Sequence, residues 1–173
     1  MGGFPTFGLA MEPLITAFYS FPHATIIPLI VLLFGVGITS RIFIVILYTI
    51  FVIVLNTYAG VKNTGTEFRE LGSSFMLTRS QTWRRIILPG ASAFILTGIR
   101  IATGFAIRGA VIAELLIGAI GLGGMILLYT GFWRLDVVFA IILILMAIGV
   151  SSNYLLRYVE KKLTPWKKEY GRF

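Results

Sequence analysis

The chain has 173 residues, of which 57% are hydrophobic and 13% are charged, and its mean hydropathy is +0.92. Soluble domains carry about 25% charged residues, which excludes a water-facing surface over most of this chain. A backbone in lipid must satisfy its own hydrogen bonds, and the continuous apolar runs favour helices over barrel strands. The expected fold class is all-α: a polytopic helical membrane protein with about four transmembrane helices in one domain.

The net charge of +8 comes mainly from two polar stretches, residues 61–88 and 159–173. In a soluble protein this charge would suggest nucleic-acid binding. Here the basic residues flank apolar runs, and such clusters typically mark cytoplasmic loops, so we expect no nucleic-acid partner. Cysteine is absent and His23 is the one histidine, which excludes disulfides and thiolate metal sites. We therefore expect no metal, no cofactor and no catalytic residues.

The first apolar segment, residues 24–36, is short for a membrane span, because about 20 residues are needed. It can cross the membrane if its helix begins earlier, near Pro13, within the lead-in at residues 1–21. A second run covers residues 42–60. The short glycine-containing turn between the two runs predicts antiparallel neighbouring helices, and the polar stretch at residues 61–88 follows them.

The polar stretch at residues 61–88 contains two motifs that are typical of helix N-termini. Thr64 and Glu67 fit a capping box, in which the two side chains satisfy each other's backbone N–H groups at a helix start. Thr78 and Gln81 fit a second one. We predict two short helices at the cytoplasmic membrane face, the second of which ends just before Pro89, because proline disfavours a helical residue in front of it.

A third apolar run covers residues 90–117, and its glycines, Gly98, Gly104 and Gly109, permit close helix contact. Residues 118–135 are rich in glycine and predict a loop with a partly re-entrant apolar piece.

A last apolar run covers residues 136–158 and leads into the basic tail at residues 159–173. With this tail and residues 61–88 in the cytoplasm, the outer loops hold only two basic residues, Arg41 and Arg134. Both chain ends are then expected to face the cytoplasm.

The sequence from Glu70 to Pro89, ELGSSFMLTRSQTWRRIILP, resembles the EAA motif, the cytoplasmic signature of the permeases of ATP-binding-cassette (ABC) importers. The family pattern is E-A-A, three residues, G, nine residues, I-x-L-P. Met76 stands in the place of the family glycine, which allows a left-handed turn, and a side chain there costs about 1–2 kcal/mol. The residues that the resemblance assigns to ATPase coupling are Glu70, Leu71, Gly72, Arg79, Arg85, Ile86, Leu88 and Pro89.

The resemblance covers about residues 12–168 and is greatest to the permeases of nitrate, sulfonate and taurine type. It implies a type I importer permease in the bacterial inner membrane or archaeal cell membrane. Family members usually have about six helices, so two would precede this chain's first residue. A fragment, a mis-set start and a natural short form are all compatible with this.

The resemblance implies transport without bond chemistry. The expected partners are an ABC ATPase subunit, an extracellular or periplasmic substrate-binding protein, a second permease copy and membrane lipid. One alternative is a passive channel or membrane assembly protein with no ATPase. Another is that the basic stretch rests on anionic lipid. An intramembrane enzyme is disfavoured, because neither H-E-x-x-H nor G-x-S-x-G occurs.

The third apolar run contains three charged residues, Arg100, Arg108 and Glu114, and charges within a span are functional candidates by default. We assign all three to the translocation pathway. For Arg100 the alternative is snorkelling toward the cytoplasm. Arg108 could attract a sulfonate or nitrate, and its alternative role is an ion pair with Glu114. Six residues place these two on nearly opposite sides of one helix, which disfavours that pair.

Overall fold

The computed structural model describes residues 5–64, 75–118 and 121–164. Within these ranges the regular structure is helical, as the apolar runs predict, so the all-α class is confirmed. In the described part of the chain, three helical segments are long and apolar enough to cross a membrane, and the bent pair at the start would make a fourth. The elements are α1 (Pro5–Ser20), a 3₁₀ turn (His23–Ile26), α2 (Ile27–Phe34), α3 (Ile38–Asn63), α4 (Arg79–Thr82), a π-turn (Trp83–Ile87), α5 (Leu88–Ile117), α6 (Leu122–Gly131) and α7 (Leu135–Leu163).

The first apolar segment is a broken helix rather than one continuous span from Pro13. The helices on either side of Pro22 are bent by 80°, because proline lacks the N–H that would continue the helical ladder. Both pieces nevertheless contact α3. Phe18 stacks on Phe51 with ring centres 5.7 Å apart, and Phe34 stacks on Phe43 at 4.3 Å. The predicted antiparallel pairing of the first two apolar runs is confirmed by these contacts.

The helices α3 and α5 pack against each other along most of their length. A Cβ atom on Gly98 would lie 2.7 Å from Asn56 Cβ, and one on Gly109 would lie 3.0 Å from Tyr48 Cγ. The glycines therefore let two larger side chains of α3 approach the backbone of α5. The same prediction is wrong for Gly104, where an added Cβ would meet nothing within 4 Å.

Replacing Gly98 by leucine should lower the free energy of unfolding by about 1–3 kcal/mol, because overpacking would push α3 away from α5. Gly104→Leu is the matched control, since it brings the same gain in helix propensity at an open position of the same helix. Denaturant titration in mixed micelles measures both variants. Equal effects of the two substitutions would contradict the close packing at Gly98.

The predicted helix end before Pro89 is wrong. Helical structure continues from Ser80 to Ile117, a segment of 38 residues. In the π-turn, the N–H of Leu88 bonds to the carbonyl of Trp83, five residues earlier. Pro89 then takes the second position of α5, and the wider turn relieves the clash that proline causes in a regular helix.

The glycine-rich segment forms α6, a ten-residue apolar helix that packs against both α5 and α7. This agrees with the predicted apolar piece within the loop. The last helix, α7, is long and apolar, and 6% of its most apolar window is buried within the chain. Its surface is suited to a hydrocarbon environment, where exposed apolar side chains cost nothing.

Candidate functional site

A capping box opens the short helix α4, as the sequence predicts. The N–H of Thr78 donates to Gln81 Oε1 at 2.9 Å, and the N–H of Gln81 donates to Thr78 Oγ1 at 3.4 Å. The first predicted box is different. Thr64 closes α3, and its hydroxyl donates back to the carbonyl of Gly60 at 2.7 Å, while Glu67 lies outside the described residues.

The structure describes part of the predicted coupling set. Arg79 begins α4, Arg85 is exposed in the π-turn, Ile86 is half-buried, and Leu88 and Pro89 are exposed at the start of α5. Their coupling role stays a prediction. The first three members of the set lie outside the described residues: Glu70, Leu71 and Gly72.

A small apolar cluster holds the π-turn against the end of α3. Ile87, Val61 and Ala91 are buried together, and Trp83 packs against them. The burial of Ile87 is not predicted from the sequence. The regular α-helical period does not predict that the Ile87 side chain faces α3, because the π-turn shifts the helical phase at this point. The exposed side of the same turn carries Arg84 and Arg85.

Arg100 forms an ion pair with a residue that sequence reasoning missed. Its Nε lies 3.0 Å from Glu160 Oε2 on α7, and the side chains are 29% and 12% exposed. The Thr97 hydroxyl donates to Glu160 Oε1 at 2.8 Å. Both carboxylate oxygens therefore face α5, and the group ties α5 to the end of α7. A role for Arg100 in the translocation pathway stays a prediction.

Arg108 and Glu114 lie apart, as the helical phase predicts. Arg108 is exposed, and its guanidinium carbon is 5.0 Å from the ring centre of Phe105, a cation–π contact. Glu114 Oε2 accepts the N–H of Gly123 at 2.8 Å, in the first turn of α6. The structure therefore does not gather the three charged residues of α5 into one site.

A cavity of about 330 Å³ lies between the start of α3 and the end of α5. Its charged lining residues are Arg41 and Glu114. The sequence places Arg41 at the edge of an outer loop and predicts no binding role for it, because a local pattern cannot show which helix faces it. The apolar lining residues are Ile38, Ile42, Val45, Ile46 and Ala110.

Residues 2–165 match the model of a family described as binding-protein-dependent transport system inner membrane component. The chain belongs to this family. Its helical spans agree with a membrane location, which confirms the expected class of inner-membrane transport permease.

Several relatives of this inner membrane component carry permease names. The taurine transport system permease protein TauC of Escherichia coli is 34% identical over 98% of this chain and 62% of its own length. The formylaminopyrimidine transport permease protein ThiX of Halalkalibacterium halodurans is 34% identical, covering 92% and 64%. The nitrate import permease protein NrtB of Leptolyngbya laminosa is 26% identical, covering 90% and 56%. The chain thus spans about three-fifths of the length of the curated relatives it matches.

Within this inner membrane component, Met76 takes the left-handed conformation expected at the place of the EAA-motif glycine. Its φ is 51°, and its side chain is 93% exposed. Among the described residues, no packing contact of this exposed side chain offsets the unfavourable backbone. The turn geometry is therefore kept although the residue that favours it is absent.

Replacing Met76 by glycine should stabilise this turn by about 0.5–1 kcal/mol. The relief of left-handed strain, about 1–2 kcal/mol, exceeds the extra flexibility that glycine brings to the unfolded chain. Amide hydrogen exchange at residues 78–82 should slow accordingly. Phe75→Gly is the control, because Phe75 is exposed and has no positive φ to relieve. Faster exchange in both variants would contradict the strain argument.

Proposed function

We propose that this chain is the permease subunit of an ATP-driven importer and that it forms part of the substrate pathway. It couples to a separate ATPase subunit through the segment that ends at Pro89. The observation that carries the proposal is the continuity of the helix from Ser80 to Ile117, which joins the exposed arginines of the π-turn to a membrane span. Family membership and the permease names of the relatives support the same reading.

A continuous helix can act as a lever. The segment of 38 residues is about 57 Å long when helical, so a displacement at α4 reaches the far side of the membrane without crossing a loop. Trp83 and Ile87 hold the π-turn on α3, so α3 and α5 move together. The exposed Arg84 and Arg85 supply charges for a groove on the ATPase, where buried charge pairs fix orientation.

A second permease copy completes the pathway, and a substrate-binding protein delivers cargo at the outer face. Two ATPases that close on ATP would rotate the two permeases and expose the pathway to each side in turn. The proposed cargo is a small anion such as a sulfonate or nitrate. Relatives named for taurine and nitrate support this, as does the exposed Arg108. The relative named for formylaminopyrimidine makes that compound a necessary comparison in any uptake assay.

The test combines co-purification with uptake. The chain is co-expressed with an ATPase subunit and a binding protein of the same transport system, and the complex is isolated in detergent. Charge reversal at both Arg84 and Arg85 should lower ATPase recovery and ATP-dependent uptake about tenfold or more. Arg157→Glu is the matched control, since Arg157 is exposed near the end of α7, away from the π-turn.

Two outcomes would overturn the proposal. The first is a chain that recovers no ATPase subunit at all. The second is solute flux that needs no ATP and survives charge reversal at Arg84 and Arg85. The second result would favour the passive channel.

A further inference from the structure

The cavity between α3 and α5 combines an apolar lining with an unmatched positive charge. Arg41 Nε is enclosed by protein and has no hydrogen-bond partner among the described residues. The described part of the chain also places no carboxylate within ion-pair distance of the Arg41 guanidinium. An enclosed polar group without a partner is costly, which marks this guanidinium as unmatched. The enclosed Nε faces protein, so an anion would reach the two terminal guanidinium nitrogens, which also have no hydrogen bond or ion pair to the described residues.

Glu114 does not neutralise this charge, although it lines the same cavity. One of its oxygens accepts the N–H of Gly123 at 2.8 Å, and the carboxylate lies so close to Gly121 that an added Cβ there would overlap it. The carboxylate is therefore held at the amino end of α6, where the helix dipole favours negative charge. Of the two charged lining residues, Arg41 is the one whose enclosed nitrogen lacks a partner.

The start of α3 holds Arg41 in place. Ser40 is fully buried, and its hydroxyl donates to the carbonyl of Gly35 in the preceding turn. Ile44, one turn later, is also fully buried and packs with Ile27 and Ala113. A binding group on such a fixed helical turn loses little freedom when a ligand arrives, which raises affinity.

We infer that Arg41 binds an anion and that the cavity takes a monoanion carrying a short apolar group, of the sulfonate, carboxylate or phosphate-ester class. The volume of about 330 Å³ lies within the usual range for small-molecule sites. The guanidinium offers parallel N–H donors that match such oxyanions. Five apolar side chains suit an alkyl group, and the nearby Glu114 carboxylate disfavours a second negative charge.

The position of the cavity gives this site a place in transport, a step that rests on the proposed function. Arg41 and Thr64 lie at opposite ends of α3, about 35 Å apart along the helix axis. The cavity is thus at the far end of the span from the coupling segment, where a binding protein would release its cargo. The anion is either this cargo or the headgroup of an anionic lipid, which offers the same chemistry.

The experiment uses the full chain in nanodiscs of phosphatidylcholine, with ethanesulfonate as the probe and calorimetry as the readout. The wild-type protein should bind the probe saturably. Arg41→Gln should weaken binding about 10- to 100-fold, the loss expected for one charge-assisted contact, whereas Arg41→Lys should retain most of it. Ala110→Leu, which fills the cavity without changing charge, should also weaken binding. Arg134→Gln is the control, because Arg134 pairs with Asp136 at the surface.

A second arm identifies the source of the anion. If a lipid headgroup occupies the site, nanodiscs that contain phosphatidylglycerol should compete with ethanesulfonate in the wild-type protein and not in Arg41→Gln. If cargo occupies it, phosphatidylglycerol should leave binding unchanged. The inference would be overturned if the wild-type protein and Arg41→Gln bound ethanesulfonate equally. It would also be overturned if neither ethanesulfonate nor phosphatidylglycerol bound to any of the proteins. Unfolding midpoints of all variants verify that the fold is kept.

The absence of an anion site at Arg41 can be distinguished from failure of the proposed function. Arg41→Gln should still recover the ATPase subunit and should raise the KM of uptake about tenfold with little change in kcat. An unchanged KM with normal ATPase recovery would remove the site's role in binding cargo and leave the importer proposal standing. A chain that never recovers an ATPase would remove the importer proposal, while the nanodisc titration would still decide the anion site.

Discussion

Under the proposed function, replacing Arg108 by glutamine should abolish ATP-dependent uptake while leaving the amount of protein in the membrane unchanged. Arg108 lies about 30 Å along α5 from Leu88, toward the end of this helix that is remote from the coupling segment. A charged residue within a membrane-spanning helix is costly, which makes it a functional candidate by default. Its side chain is exposed and contacts a ring face rather than a carboxylate, so an approaching anion meets an available guanidinium.

The measurement is uptake of labelled taurine and nitrate into cells that also make the ATPase and binding protein. Arg108→Lys should keep part of the rate, because the charge remains. Phe105→Leu should change uptake far less than Arg108→Gln, since it removes the ring and not the charge. Normal uptake by Arg108→Gln at equal membrane abundance would remove Arg108 from the pathway.

The apolar spans could be predicted from sequence because hydropathy and length together determine them. The run at residues 42–60 became α3 and the run at 136–158 became α7; α3 extends further at both ends, and α7 mainly at its carboxyl end. Extension is expected, since a helix continues into the polar interface until a cap or proline ends it. The capping box at Thr78 and Gln81 could also be predicted, because its signal is local and lies within four residues.

The effects of two prolines differ from those predicted from the sequence, and in opposite senses. Pro22 bends the first segment by 80°, where a continuous span starting near Pro13 was expected. Pro89 was expected to end a helix, and the helix runs through it. The same residue type has opposite outcomes, because a π-turn that accommodates proline depends on tertiary contacts of Ile87 and Trp83 that no local pattern carries.

The charged contacts of the candidate sites could not be predicted at all. Glu160 is 60 residues from Arg100 in the chain, and its surroundings in the basic tail suggested only a topology signal. Glu114 was assigned to the pathway, and its carboxylate binds the first turn of α6. Each contact depends on which helices pack together. The periodicity of a single sequence indicates that a segment is helical much more strongly than it indicates which other helix packs against it.

Glu160→Gln should lower the free energy of unfolding by about 3 kcal/mol, the lower end of the range for breaking a buried ion pair. Glu160 is 12% exposed and Arg100 29%, so removal of the carboxylate charge leaves a largely enclosed guanidinium without its counter-ion. Glutamine keeps the size of the side chain, and the Thr97 hydroxyl can still donate to its amide oxygen. The effect therefore reports charge rather than packing.

An exposed ion pair of the same chemistry provides the control. Arg134 Nη2 lies 2.8 Å from Asp136 Oδ2, and these side chains are 59% and 65% exposed. Asp136→Asn should therefore change stability by no more than about 1 kcal/mol, because solvent screens both charges. Denaturant titration in mixed micelles measures both variants. The double variant Arg100→Leu with Glu160→Leu should recover most of the loss, since apolar residues can replace a buried pair without leaving an unmatched charge. Equal losses at the enclosed and exposed pairs would show that the contact between α5 and α7 does not depend on charge.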